Sequence, residues 1–309
     1  MEKKKKKVTK KKNWELSAVF ATPLLLLIVG LFCFKSSLPF RVDEIRPIRG
    51  FSFQLANTTS QEELERLRSV FSQSFTYLSE SDQCYLFVSQ NNDYLLKFFK
   101  MRKLTPKYWL NYIPLPWLEQ ERLNKIGHRE RSRQELLGNF KSAFEGFRHQ
   151  TSLFFIHFFS TEFLKSKVHI IDQQNTSHYV YLDSVPFVLQ RKSVPLFEHI
   201  ETLIENRKTK EAMSSLLLVL DLVKDQCQRG FGEHEINLEK DYGFIGNRVV
   251  FVDVERLVKD DSLKNPLSTL REVFKVSQKI SEWLEQSHPS LATDFQRESH
   301  DLISMLEGF

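Results

Sequence analysis

Residues 17–34 read SAVFATPLLLLIVGLFCF, a run without a charged residue, bracketed by Glu15 and Lys35. As a helix it would span about 27 Å at 1.5 Å per residue, close to the hydrocarbon thickness of a bilayer. No other stretch constrains the chain so strongly, because such a run needs an apolar partner along its whole length. Residues 1–13 precede it with eight Lys and one Glu. That excess of lysine on one flank places the tail in the cytosol and the body on the far side of the membrane. A cleaved signal peptide is the rival reading, yet Lys35-Ser36-Ser37-Leu38-Pro39 offers no small-x-small cleavage site. Gly30-Leu31-Phe32 before Cys33 makes a poor lipoprotein box, since the two residues next to the Cys are large. Pro23 is tolerable within a membrane helix. The segmentation is therefore a basic cytosolic tail (1–13), an uncleaved transmembrane signal anchor (14–35), and a linker and helix (36–74). The membrane is the first expected partner, through residues 14–35.

The net charge of +5 belongs to that tail. With +7 in residues 1–13, the remainder carries −2. In isolation the KKKKK and KKK runs would fit a nuclear-localisation or nucleic-acid arm, but an apolar run follows them at once. A body of this charge lacks the basic face that offsets phosphates, so no nucleic-acid partner is expected. The 309 residues are 41% hydrophobic and include 27 Phe, enough for a substantial core. Cys84 and Cys227 have no CxxC spacing, so zinc is not supported, while a disulfide between them stays open. Asn57-Thr58-Thr59 and Asn175-Thr176-Ser177 fit the glycosylation triplet, which has meaning only in a host with that pathway.

Along the body, Ser60-x-x-Glu63 forms a capping box for a helix whose apolar face is Leu64, Leu67, Val70 and Phe71. CYLFVSQ (84–90) and DYLLKFFK (93–100) read as a β-hairpin around Gln90-Asn91-Asn92. A long charged helix is expected over 118–148, with a break near Gly127. KVHIID (167–172), HYVYLD (178–183) and PFVLQRK (186–192) read as strands. Helices follow at about 196–206, 209–228, 266–287 and 290–307, with Gly230 as a helix-terminating glycine. This order, strands around one long helix and then mostly helices, predicts an α+β chain with a sheet-rich lobe (75–192) and a helical lobe (193–309). Phe154, Phe155, Phe158 and Phe159 are expected to fill the core between the lobes. Trp109, Tyr112 and Trp117 are expected in core or loop packing, with the membrane surface near the anchor as the alternative, and His157, His169 and His178 are read as structural.

A lysine on the second strand of a hairpin, a helix with a Glu, further strands, then VLQRKSVPL and long helices, and finally a hydrophobic strand ending in Asp, resembles the protein-kinase-like fold. FTYLSESDQCYLFVSQNNDYLLKFFK and RGFGEHEINLEKDYGFIGNRVVFVDVERL are similar to stretches of membrane-anchored kinase-like proteins of intracellular bacteria. The resemblance covers about residues 75–260 and implies a two-lobed protein-kinase-like body preceded by one N-terminal transmembrane helix. It also implies ATP and Mg²⁺ as cofactors, because phosphoryl transfer is largely positioning and charge neutralisation. Lys97 matches the phosphate-holding lysine, with Lys100 as the alternative register. Glu145 matches its helix partner, with Glu130 and Glu135 as competitors. Asp253 and Asp241 match the two metal ligands, Mg²⁺ preferring hard oxygens. Glu235, and beside it Glu233, fall where the catalytic carboxylate belongs. Each has a plain alternative: a solvated lysine, a solvated helix face, a strand-end Asp capping the next turn.

Three departures weaken the match. YLSESDQCYLF has no glycine to let backbone cover phosphates, and Glu80 and Asp82 would repel them. Glu255 stands where the glycine after the metal-binding Asp belongs. The catalytic Asp is at best a Glu, and a misplacement of about 1 Å can cost on the order of 10²-fold in rate. The expected function is therefore a membrane-anchored pseudokinase acting as a binding or regulatory module for an unknown protein partner. An active ATP/Mg-dependent kinase or small-molecule phosphotransferase is the second reading. A non-enzymatic envelope interaction protein is the third.

Overall fold

The structure, a computed structural model, describes residues 40–46, 60–106, 108, 119–233 and 235–307. The basic tail, the expected anchor over 14–35, most of the linker, and Trp109, Tyr112, Trp117 and His234 lie outside the described residues. After a short helix α1 (Val42–Ile45), Ser60 caps helix α2 (Gln61–Phe71) by accepting from the Glu63 amide at 3.2 Å, one half of the expected capping box, while the Glu63 carboxylate accepts from Arg148 at 2.9 Å.

Alternating apolar residues then build the sheet. Its strands are β1 (Ser74–Glu80), β2 (Cys84–Ser89), β3 (Tyr94–Phe99), β4 (Leu153–His157), β5 (Lys167–Ile171), β6 (Ser177–Tyr181) and β7 (Phe187–Arg191). They pair in the order β4-β7-β3-β2-β1-β5-β6. All neighbours run antiparallel except β1 and β5, which are parallel with Ser74 opposite His169. The short helix α3 (Met101–Leu104) follows β3, and the long helix α4 (Glu119–Gly146) follows it.

Side chains alternate across a strand, so β3 serves two faces. Phe98 meets Phe87 and Phe187, and Phe187 meets Phe71 of α2 edge-on, with centroids 5.6 Å apart. On the other face Phe99 meets Phe140 of α4 at 5.5 Å and Phe158 at 5.7 Å. Phe155 and Phe158 are buried, while Phe154 and Phe159 are partly so.

The helical part consists of α5 (Leu196–Glu205), α6 (Thr209–Gln228), a short α7 (Leu238–Asp241), α8 (Pro266–Ser287) and α9 (Pro289–Glu307). Between them, β8 (Val194–Pro195), β10 (Tyr242–Ile245) and β11 (Arg248–Phe251) make a three-stranded sheet, and β9 (Phe231–Glu233) pairs with β12 (Leu257–Lys259). Cys84 and Phe99 of the large sheet share one buried cluster with Phe140, Leu216, Phe251, Val276 and Phe295.

The expected two-lobed, protein-kinase-like body preceded by a membrane helix is therefore corrected. Residues 42–309 form one compact unit of mixed α and β structure on a seven-stranded sheet. Among the described residues, no helix is long and apolar enough to cross a membrane. The expectation failed at β1, which was taken for a phosphate-covering loop. β1 exposes Thr76, Leu78, Ser79 and Glu80 and runs into a polar turn, which hides its alternation, and its parallel pairing with β5 extends the sheet. The expected break near Gly127 is also absent, and α4 runs unbroken through Gly127 and Gly138. Cys84 and Cys227 are both buried free thiols, not a disulfide.

Candidate functional site

Lys97 lies in the middle of β3, opposite Leu86 on β2 and Val188 on β7. It is two residues from Phe99 and so faces the helical side, where its side chain is 6% exposed. A buried ammonium requires a counter-charge. It finds one in Glu255, whose Oε1 lies 3.4 Å from Nζ. Burial alone would depress the Lys97 pKa, but the carboxylates of Glu255 and then Asp253 outweigh it and hold the pKa raised. Removing one member of such a buried pair costs about 3–5 kcal/mol.

Asp253 arrives from the small sheet. Its position depends on Val252, whose amide donates to the Asp241 carbonyl at 2.7 Å and whose carbonyl accepts from Gln190 Nε2 at 3.2 Å. One residue thus ties β7, the end of α7 and the end of β11 together, bringing Asp241 and Asp253 to the same place. Asp253 begins a 3₁₀ turn over Val254–Arg256, but its side chain makes no capping hydrogen bond. The alternative of a turn-capping acid therefore lacks its bond. Burial raises the Asp253 pKa, and Glu255 and Asp241 add to the rise against the pull of Lys97 and Arg256.

Asp241 is fully buried. Its Oδ2 accepts the Asn237 amide, so α7 delivers the carboxylate through its own tight turn. Its Oδ1 has no conventional hydrogen-bond donor, and neither does the buried Oε2 of Glu233 beside it. A proton held between the two oxygens satisfies both. Burial first, and then the bond to Asp241, push Glu233 up to about 9, so the buried pair favours keeping one proton. Its Oε1 accepts from the Tyr242 hydroxyl at 2.8 Å.

The other predicted residues lie apart from this cluster. Glu145 is exposed on α4, 3.9 Å from Lys141 in an i,i+4 pair. Glu130 pairs with Arg133 on the same helix. Glu235 is 83% exposed and sits 3.5 Å from Arg256. Lys100 holds the β1–β2 turn, donating to Glu80 at 2.9 Å and to the Ser81 carbonyl at 2.6 Å. His157, bonded to the Val185 carbonyl and Thr161, sits in the core as a structural residue.

Sequence reasoning missed Glu255 as the partner of Lys97 and Ser81 as the partner of Glu255. The available signal was the spacing Asp253-x-Glu255 just after a hydrophobic strand. Next to Glu255 opens a cleft of 530 Å³, lined by Gln83, Ser132, Glu135, Leu136, Asn139, Glu235, Arg256 and Val258 as well. Among the described residues, no group of three or more His, Cys, Asp or Glu is arranged to hold a metal ion. Asp253 and Asp241 nonetheless supply hard oxygens, although Asp241 would have to give up the proton it shares with Glu233, and Mg²⁺ is commonly held by one or two carboxylates plus ligand phosphates. These two residues would hold it, and it would neutralise phosphate charge there.

No protein-family model matches the chain, and no curated protein matches it. Among solved structures it is similar to Rv3197 of Mycobacterium tuberculosis in complex with erythromycin, at 12% identity and a TM-score of 0.32. The match covers 63% of this chain and 49% of the other, and so spans about half of that protein. At that score the likeness carries no argument about fold or ligand.

Proposed function

We propose that the body is a binding module for a Mg²⁺-complexed polyphosphate, with ATP the first ligand to test, and that it does not transfer the phosphate. The observation that carries this reading is the buried Lys97 coupled to Glu255 and Asp253, with Asp241 at the end of α7 coupled to Asp253 in turn, and Glu255 opening onto a cleft. A buried ammonium beside hard carboxylate oxygens is the pairing that a metal-bound phosphate uses. The lack of transfer rests on the two base candidates. Glu233 is buried against Asp241 in a pair that favours keeping one proton, while Glu235 is paired with Arg256 at the surface. General base catalysis needs a free carboxylate within hydrogen-bond reach of the attacking group.

The test is thermal unfolding of the full chain in detergent micelles, with and without Mg-ATP, beside Lys97→Met and Asp253→Asn. A ligand that binds the folded state at a hundredfold excess over Kd stabilises it by about 2.7 kcal/mol. The expected result is a rise in the wild-type midpoint that both substitutions abolish while circular dichroism shows them folded. An unchanged midpoint at millimolar Mg-ATP would overturn the reading and turn the search to protein partners.

A further inference from the structure

The Glu255 carboxylate lies among donors suited to an anion. Lys97 Nζ faces its Oε1 at 3.4 Å, and Ser81 Oγ donates to its Oε2 at 3.1 Å. Ser81 Oγ in turn accepts the amides of Gln83 at 3.3 Å and Cys84 at 3.0 Å, which polarises its hydroxyl toward Glu255. The Glu255 side chain is 12% exposed, and its residue lines the 530 Å³ cleft. One carboxylate thus links β3, the β1–β2 turn and the 3₁₀ turn after Asp253. A phosphate oxygen entering from the cleft would seek the same ammonium and hydroxyl.

We propose that Glu255 is a built-in occupant of an anion site formed by Lys97 and Ser81, a clasp that a phosphate ligand must displace. This rests on the reading that the cluster takes a polyphosphate. The clasp keeps the buried Lys97 paired when no ligand is present, since an uncompensated buried charge is strongly destabilising. It also weakens the apparent affinity by the fraction of molecules in which the site is open. Release moves the Glu255 side chain into the cleft and passes Lys97 to the ligand, so the ammonium is paired in both states.

The experiment measures equilibrium binding of inorganic tripolyphosphate, without metal, to the full chain in detergent micelles. It compares wild type with Glu255→Gln, Ser81→Ala and, as a charge control, Glu135→Gln on the same cleft. With the clasp open about a tenth of the time, Glu255→Gln binds about tenfold tighter. Ser81→Ala, which removes one of the holds on Glu255 but also one donor, binds at least as tightly as wild type. Glu135→Gln changes affinity less than about threefold, as expected for an exposed charge. Acylation of Lys97 by an amine-reactive reagent, mapped by mass spectrometry, is faster in Glu255→Gln.

Equal or weaker binding by Glu255→Gln would overturn the clasp, weaker binding making Glu255 a residue that positions Lys97 for the ligand. An equal gain in Glu135→Gln would overturn it too, since the effect would then be bulk charge. Should Glu255→Gln fail to fold, Ser81→Ala decides: slower Lys97 acylation together with weaker binding overturns the proposal. Tighter tripolyphosphate binding by Glu255→Gln, with no Mg-ATP shift in any variant, would leave the clasp standing and remove the nucleotide reading.

Discussion

Glu233 shows how one buried proton can shape the pH response of the whole chain. Its pKa is raised from an ordinary 4.5 to about 9, so folding favours the protonated acid. The contribution is complete below pH 4.5 and is lost as pH rises toward about 9, because the unfolded chain ionises first. Glu233→Gln keeps a donor toward Asp241 and an acceptor for Tyr242 but cannot titrate. Across that window, wild type should lose stability relative to Glu233→Gln, with a slope approaching about 1.4 kcal/mol per pH unit. Urea unfolding of both proteins from pH 5 to 9 measures it, and parallel curves would remove the shared proton. The positions of Lys97 and Asp253 in the fold were legible in the sequence, since each is a charged residue in or just after a hydrophobic strand. The ion pair of Lys97 with Glu255 was not. Glu145 faces away because helix phase over α4 turns it to solvent, whereas Glu255 reaches Lys97 from a loop distant in the chain.

At the scale of elements, the cluster depends on how closely β10 approaches β8. A Cβ at Gly243 would stand 2.7 Å from both the Val194 carbonyl oxygen and Ser193 Oγ, and a backbone atom cannot step aside cheaply. A Cβ at Gly232 would meet the tip of the Leu263 side chain, which can rotate. Gly243→Ala should therefore cost about 1–3 kcal/mol, and Gly232→Ala less. Denaturant midpoints of the two variants decide the order, and the reverse order would mean that the β8–β10 contact is slack. Gly243 also sits two residues after Asp241, so its variant should weaken any ligand held there. Elements with strong local signals were legible, among them the cap at Ser60 and the hairpin of β2 and β3. β1 was not, because its C-terminal residues Ser79 and Glu80 run into Ser81-Asp82-Gln83 and the whole reads as one polar loop. The continuity of α4 was hidden by Gly127, which is tolerated because a helical glycine costs only about 1 kcal/mol relative to Ala.

For the molecule as a whole, the question is whether sheet and helices fold together. The expected lobes would each close their own core, and the large sheet could then melt apart from the C-terminal helices. The packing opposes this. Phe99 and Cys84 on the sheet, Phe140 on α4, Leu216 and Leu220 on α6 and Val276 and Ile280 on α8 belong to one buried cluster. Val252 also couples the large sheet to the small one through Gln190. Losing either part would expose apolar surface on the other at about 25 cal/mol per Å². Residues 42–309 should therefore unfold in one transition despite a length at which separate steps are common. Far-ultraviolet circular dichroism follows the helices. Fluorescence from a lone Trp at position 98, made by Phe98→Trp with the four native Trp replaced by Phe, follows the sheet. The two urea curves should coincide in that variant. A sheet signal that melts at a separate midpoint would show that the two parts are stable independently, and the shared cluster would then be contact without cooperativity.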